Sequence, residues 1–258
     1  MADRPGSFMK GSFAFYGAYL GAGLAILALI LLAAGPLGWR AGWWHFRFAF
    51  AWLMTGSAYV AIAAAVVCLL ALALGWSRFE ARTVAMTCAA LVLAAALIYV
   101  PWQYDRTRKT VPRIHDITTD TDNPPVFVAA LPQRAAEQAN PVAYEGPEVA
   151  RQQKAAYPDV APLEVPLAPA EAFRRALDTA RAMRGWTIVD ADPASGRIEA
   201  SQTSPWFRFT DDVVIRVAAA GDGSRVDMRS VSRQGRSDFG VNAGRIRTYM
   251  TALRSRAT

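Results

Sequence analysis

Three long apolar runs fall within the first hundred residues and limit what this chain can fold into more than any other feature. The first spans Ser12 to Ala34 and ends at Gly35-Pro36. The second spans Phe48 to Leu74, and the third Thr83 to Val100, ending at Pro101. Each approaches or exceeds the ~20 residues a helix needs to cross a hydrocarbon core, and none carries a charged residue in its interior. Buried helices of a soluble protein do not recur three times at this length. The first run also exceeds the apolar core of about 7–15 residues found in cleaved signal peptides, and two more spans follow, so a retained helix is expected. Trp39, Trp43, Trp44, Trp76 and Trp102 stand at the segment edges, where amphipathic rings favour the interface. Gly17-x-x-x-Gly21 gives the first helix a small-residue face suited to close packing.

Charge separates this region from the rest. Residues 1–109 hold nine Lys/Arg against three Asp/Glu, whereas residues 110–258 hold nineteen against eighteen. The net charge of +7 therefore originates mostly in the membrane half, which removes the main argument for a nucleic-acid partner and leaves the lipid bilayer as the expected one. About 150 residues remain, enough to bury a core. The expected organisation is a three-helix transmembrane region over 1–105, a Pro-rich irregular arm over 106–168 with a short helix near Glu148–Ala155, and a folded core over 169–258.

From Pro169 onward the pattern is regular. Phe173, Leu177, Ala180 and Met183 recur at helical spacing before Gly185. Trp186–Asp190 and Arg197–Gln202 alternate around the turn Asp192-Pro193-Ala194-Ser195-Gly196, and Phe207–Ala218 pairs with Arg225–Ser232 around Gly221-Asp222-Gly223. A last helix is expected from Gly240 to Arg254 with Ile246, Tyr249, Met250 and Leu253 inward. Helix, four antiparallel strands and helix predict a two-layer α+β domain with both helices on one face. Period-two geometry puts Val213, Ile215, Val217, Val226 and Met228 on that face, and Asp212, Arg216, Asp227 and Arg229 on the other, with Arg216 opposite Asp227. Such a ladder reads as a solvated set of cross-strand ion pairs.

The stretch after the last strand is the richest in polar chemistry. Arg229, Ser230, Ser232, Arg233, Arg236, Ser237, Asn242 and Arg245 combine guanidiniums, hydroxyls and a helix N-terminus, the parts of an anion site. Residues 225–258 carry eight Arg and two Asp. The competing reading is internal neutralisation by the more acidic residues 110–224, with Asp211 a structural or functional candidate and Asp238 or Asn242 capping the helix. His115 and Asp116 suggest a second chemistry: a hydrolase or transferase, if they meet Ser230, Ser232 or Ser237 in space. The plainer alternative is that His115 packs the arm onto the domain. Nucleophile-elbow and phosphate-loop patterns are absent, Asp120-x-Asp122 lacks the glycine and closing glutamate of a calcium loop, and no cofactor is expected.

Several separated motifs resemble one family in order. They are Ile114-His115-Asp116-Ile117-Thr118-Thr119-Asp120 with Pro124-Pro125 and Phe127, Asp211–Arg216, Ser224–Arg233, Gly235–Ala243 and Arg245-Ile246-Arg247. Together they resemble the DUF1499 family, a domain of unknown function, over about residues 110–255. The resemblance brings no activity, but it implies a domain facing away from the cytoplasm. Charge counting leans the other way. With the N-terminus inside, Arg4, Lys10, Arg78 and Arg82 are cytoplasmic, against Arg40, Arg47, Arg106, Arg108, Lys109 and Arg113 outside. Long domains translocate largely regardless of charge, so the expectation is a multi-pass protein of the cell envelope, in the inner (plasma) membrane, with an extracytoplasmic domain; a cytoplasmic domain is the alternative. The domain itself is expected to be a non-enzymatic module binding an anionic ligand, a lipid headgroup or a membrane protein partner.

Overall fold

The computed structural model describes the backbone of residues 5–257 and the side chains of 13–257; Arg4 and the Lys10 side chain, used in the charge count, lie outside them. The chain divides into two compact units, Met1–Thr107 and Arg108–Thr258.

The first unit contains helices α1 (Pro5–Arg40), α2 (Phe46–Gly75) and α3 (Ala81–Thr110). All three are long and apolar enough to cross a membrane. α1 and α3 continue past Pro36 and Pro101, where the sequence suggested they would stop. A proline removes one backbone donor, and long apolar helices tolerate that loss. α2 contains a π-helical stretch, Ala49–Met54, and starts where the His45 Nδ1 accepts the Arg47 N–H (3.2 Å). The helices pack through small residues. A Cβ on Gly21 would lie 2.4 Å from the Cys68 sulfur, and one on Gly17 would meet the Ala71 Cβ at 3.4 Å. Ser57 donates to the Ala28 carbonyl (2.8 Å) across the same pair of helices.

The second unit is an antiparallel sheet with two helices on one face. Its elements are β1 (Asp116–Thr118), α4 (Leu131–Ala136), α5 (Pro147–Ala156), β2 (Leu163–Val165), α6 (Pro169–Ala182), β3 (Trp186–Asp192), β4 (Arg197–Thr203), β5 (Thr210–Ala220), β6 (Gly223–Ser232) and α7 (Val241–Ala257). The strand order is β1-β6-β5-β4-β3, with β2 also on β6. The hairpin register places Arg216 opposite Asp227 and Asp212 opposite Val231. Val213, Ile215, Val217, Val226 and Met228 join Phe173, Ala180, Ile246 and Leu253 in one core. Trp186 stacks on Tyr249 (5.6 Å, 11°), whose hydroxyl donates to the Ala176 carbonyl (2.9 Å).

Six strands form where periodicity indicated four. β1 and β2 lie end to end along β6, on residues 229–231 and 224–226. Thr119 fills the gap between them: its N–H donates to the Met228 carbonyl and its hydroxyl accepts the Met228 N–H, both at 2.9 Å. The buried Gln153 of α5 then pairs its amide with the Thr118 backbone (3.0 and 2.6 Å), satisfying the open edge of β1. Three-residue strands between prolines carry no alternation to read, and only the β6 edge makes them strands.

Candidate functional site

Most of the charged face of the sheet is sealed, while Arg216 keeps 27% of its side chain exposed. The sequence suggested a solvated ladder there, but Asp212, Asp227 and Arg229 are at most 3% exposed. Residues 119–145 lie across this face, and Phe127 at their centre packs with Ala130, Val214 and Val231. The Arg134 and Arg229 guanidiniums both sit against the Phe127 ring, at 5.9 and 5.6 Å. Glu199, fully buried on β4, accepts the N–H groups of Val128, Ala129 and Ala130 (2.7, 3.0 and 2.8 Å). This carboxylate ties the covering segment to the sheet by its backbone, a role that β4 periodicity alone does not reveal.

The pairs beneath the cover are bidentate or shared. Arg229 grips Asp116 with two bonds (2.9 and 2.6 Å). Asp212 receives Arg134 (2.5 Å) and two bonds from Arg233 (2.9 and 2.7 Å). Arg216 and Arg225 share Asp227 and Asp120. Burial alone would raise the Asp120 carboxyl. The N–H groups of Asn123 and Asp122, the charge of Arg225 and the bond from Arg216 outweigh it and hold the group below the usual carboxylate range.

The Arg/Ser/Gly stretch therefore faces inward at nearly every position. Arg233 also bonds Glu137 and Gln133 (2.7 and 3.1 Å). Arg245 binds Asp211 (2.6 Å), Gln202 (2.7 Å) and Ser230 (2.8 Å), and contacts the Asn242 carbonyl oxygen. Asn242 in turn accepts from Ser230 (2.7 Å) and donates to Ser232 (3.0 Å) and the His115 carbonyl (2.9 Å). Asp238 caps α7 from outside, accepting the N–H groups of Gly240 (3.1 Å) and Asn242 (2.7 Å); burial raises its carboxyl despite those bonds. Ser237 donates to the Pro112 carbonyl (3.4 Å). Arg236 is exposed and has no ion pair among the described residues. The joint anion site suggested by the sequence is not assembled, because Arg229, Arg233 and Arg245 already bind internal carboxylates.

The His115-centred arrangement is not assembled either. The ring approaches Glu145 (3.6 Å), and its Nδ1 is buried without a hydrogen-bond partner among the described residues. Asp116 is held by Arg229, while Ser230, Ser232 and Ser237 make the contacts above. Among the described residues, no group of three His, Cys, Asp or Glu side chains is placed to hold a metal.

An open groove of about 630 Å³ lies elsewhere, between Thr121–Pro124, the Tyr144–Pro147 turn and α5. Gly146 makes the turn at φ 82°, and Pro147 follows at the helix start. Ala150 lines the floor, and Lys154 reaches toward Asp122 (3.9 Å). Tyr144 lines one wall; its hydroxyl is buried without a hydrogen-bond partner among the described residues. Burial, then the charge of Asp116, pushes that hydroxyl up to about 12. Its ring also receives the Arg229 guanidinium at 5.6 Å, so the groove wall rests on the buried ion pairs. Nothing in the sequence signalled this groove, because its walls come from three separate segments of the arm.

No curated protein matches the chain. The solved structure titled "Crystal structure of Ara h 8.0201" is similar to 37% of this chain and 93% of its own, at 12% identity and a TM-score of 0.24. The family model described as "Protein of unknown function (DUF1499)" matches residues 116–253, from the first residue of β1 into the last turn of α7. That match takes in more than half of the chain and all six strands, so this protein belongs to the DUF1499 family.

Proposed function

We propose that the protein is a membrane-anchored, non-enzymatic binding module whose ligand sits in the groove beside Tyr144. The observation that carries this reading is the open groove walled by Tyr144, whose buried hydroxyl has no hydrogen-bond partner among the described residues. A buried hydroxyl left unsatisfied costs about 1–3 kcal/mol, which a ligand acceptor recovers once the Tyr144 side chain turns its hydroxyl into the groove. Arg151 and Lys154 line the same groove, paired with Glu148 and with Asp122 (3.9 Å) respectively, so the groove offers charges of both signs. A hydrolytic or transferase reading through His115 draws less support, since Asp116 and the three serines are committed elsewhere. We place the module on the extracytoplasmic side of the inner membrane, a reading supported by the family resemblance.

Purification in mild detergent followed by native mass spectrometry tests the groove. The expected result is a bound small molecule on the wild-type chain that is lost from Ala150→Trp, which fills the groove. A bound species that survives Ala150→Trp, or no bound species at all, overturns the assignment.

A further inference from the structure

A second surface of the soluble unit carries an interaction that the groove does not explain. The chain arrives at one particular end of the sheet. The Ser232 N–H donates to the His115 carbonyl (3.0 Å), and the Asp238 N–H to the Ile114 carbonyl (3.1 Å), so residues 112–115 lie at the C-terminal end of β6. The β4–β5 loop lies at that same end, since Thr203 pairs with Thr210 and the Arg233 N–H donates to the Thr210 carbonyl (2.9 Å). The apolar run of α3 ends at Val100, its helix continues to Thr110, and only five residues then separate it from β1. They reach at most about 18 Å when extended.

This end is apolar and basic. Trp206 at the loop tip is 65% exposed, and Val241 at the start of α7 is 52% exposed. Phe207 and Phe209 stack beneath the tip (5.1 Å, 16°), and Arg208 between them holds a left-handed backbone at φ 58°. Arg113, Arg184, Arg208 and Arg236 are exposed and have no ion pair among the described residues. Three acids nearby are already engaged, Asp211 with Arg245, Glu137 with Arg233 and Asp238 with the start of α7, while Glu145 stays exposed beside the His115 ring (3.6 Å).

We propose that this end of the soluble unit docks on an anionic lipid surface, with Trp206 at headgroup level and the four arginines on lipid phosphates. Tryptophan beside arginine is the composition that favours a membrane interface, and basic residues close to an anionic leaflet add attraction one by one. The apolar helices of the same chain bring that surface within reach.

The test uses the full chain in nanodiscs of phosphatidylcholine, with or without phosphatidylglycerol, on a Cys68→Ala/Cys88→Ala background. A fluorophore is attached at Pro205→Cys beside the tip or, as a control, at Asp222→Cys in the turn at the opposite end of the sheet. Headgroup-attached quenchers should quench the label at 205 more than the label at 222. The excess should be larger with phosphatidylglycerol. It should be lost in Arg184→Glu/Arg208→Glu/Arg236→Glu, and also when salt rises from 0.1 M to 1 M, which shortens the screening length from about 10 Å to about 3 Å. Equal quenching at the two positions overturns the docking face. An excess indifferent to lipid charge and salt overturns its anionic character. The comparison of the two labels does not depend on folding of the charge-reversed variant, because both sites are exposed turns.

Discussion

Replacing Asp212 by asparagine keeps the side-chain shape and removes the charge that two buried guanidiniums share. Asp212 is fully buried, and the Arg134 and Arg233 side chains are 4% and 1% exposed. Breaking a buried pair by removing one partner costs about 3–5 kcal/mol, chiefly because the other charge stays buried and uncompensated. Arg233 retains Glu137, so its share of the loss is small. Arg134 retains only carbonyl partners, Asn140 at 2.7 Å and Val231 at 3.4 Å. The expected cost is therefore about 3 kcal/mol, the low end of that range. Native-state hydrogen exchange of the full chain in detergent reads it directly, because the slowest β5 and β6 amides exchange through opening of the sheet. At 1.4 kcal/mol per tenfold, those amides should exchange about 10²-fold faster in Asp212→Asn. Asp212→Asn/Arg134→Leu should recover part of the loss, since it removes the stranded charge as well. A cost under about 1 kcal/mol, the worth of an exposed pair, would refute the claim that this carboxylate holds the covering segment to the sheet.

Three further outcomes are expected. Tyr144→Phe removes a buried, unpartnered hydroxyl, so thermal unfolding of the free protein should shift upward by about 2–4 °C for about 1 kcal/mol gained; a lower midpoint would mean that the hydroxyl is satisfied in the free protein. Asp120 has its folded-state ionisation depressed, so its stabilisation is complete above the unfolded carboxylate value near about 3.9 and is lost as pH falls through the folded value. Acid unfolding followed by the same hydrogen exchange should be steeper for the wild type than for Asp120→Asn, and equal slopes would deny Asp120 this role. Gly21→Ala puts a Cβ 2.4 Å from the Cys68 sulfur, whereas one at Gly23 meets nothing within 4 Å. Thermal aggregation in detergent should move down for the first, by about 1–3 kcal/mol of overpacking, and stay unchanged for the second.

Much of the architecture could be read along the chain. The three spans follow from length and apolar content, which a bilayer demands locally. The helices α6 and α7 and the strands β3 to β6 follow from periods of 3.6 and 2. The tight Gly221-Asp222-Gly223 turn places Arg216 against Asp227 by counting alone. The alternation of β5 and β6 also separated an apolar face from a charged one.

Tertiary structure decided what covers the charged face, and with it the fate of the candidate site. Asp116 and Arg229 are 113 residues apart, and Arg134 and Asp212 are 78 apart. No local pattern links such partners, since an arginine at a strand position reads the same whether water or a carboxylate faces it. The Pro-rich segment that supplies the cover, two strands and the groove has no period, because its hydrogen bonds go to β6 and Glu199 and few go to itself. Sequence alone therefore determined that this chain anchors an α+β domain among apolar spans. Only the packed structure turned its arginines inward and left the groove beside Tyr144, because buried charge must find its counter-charge in space.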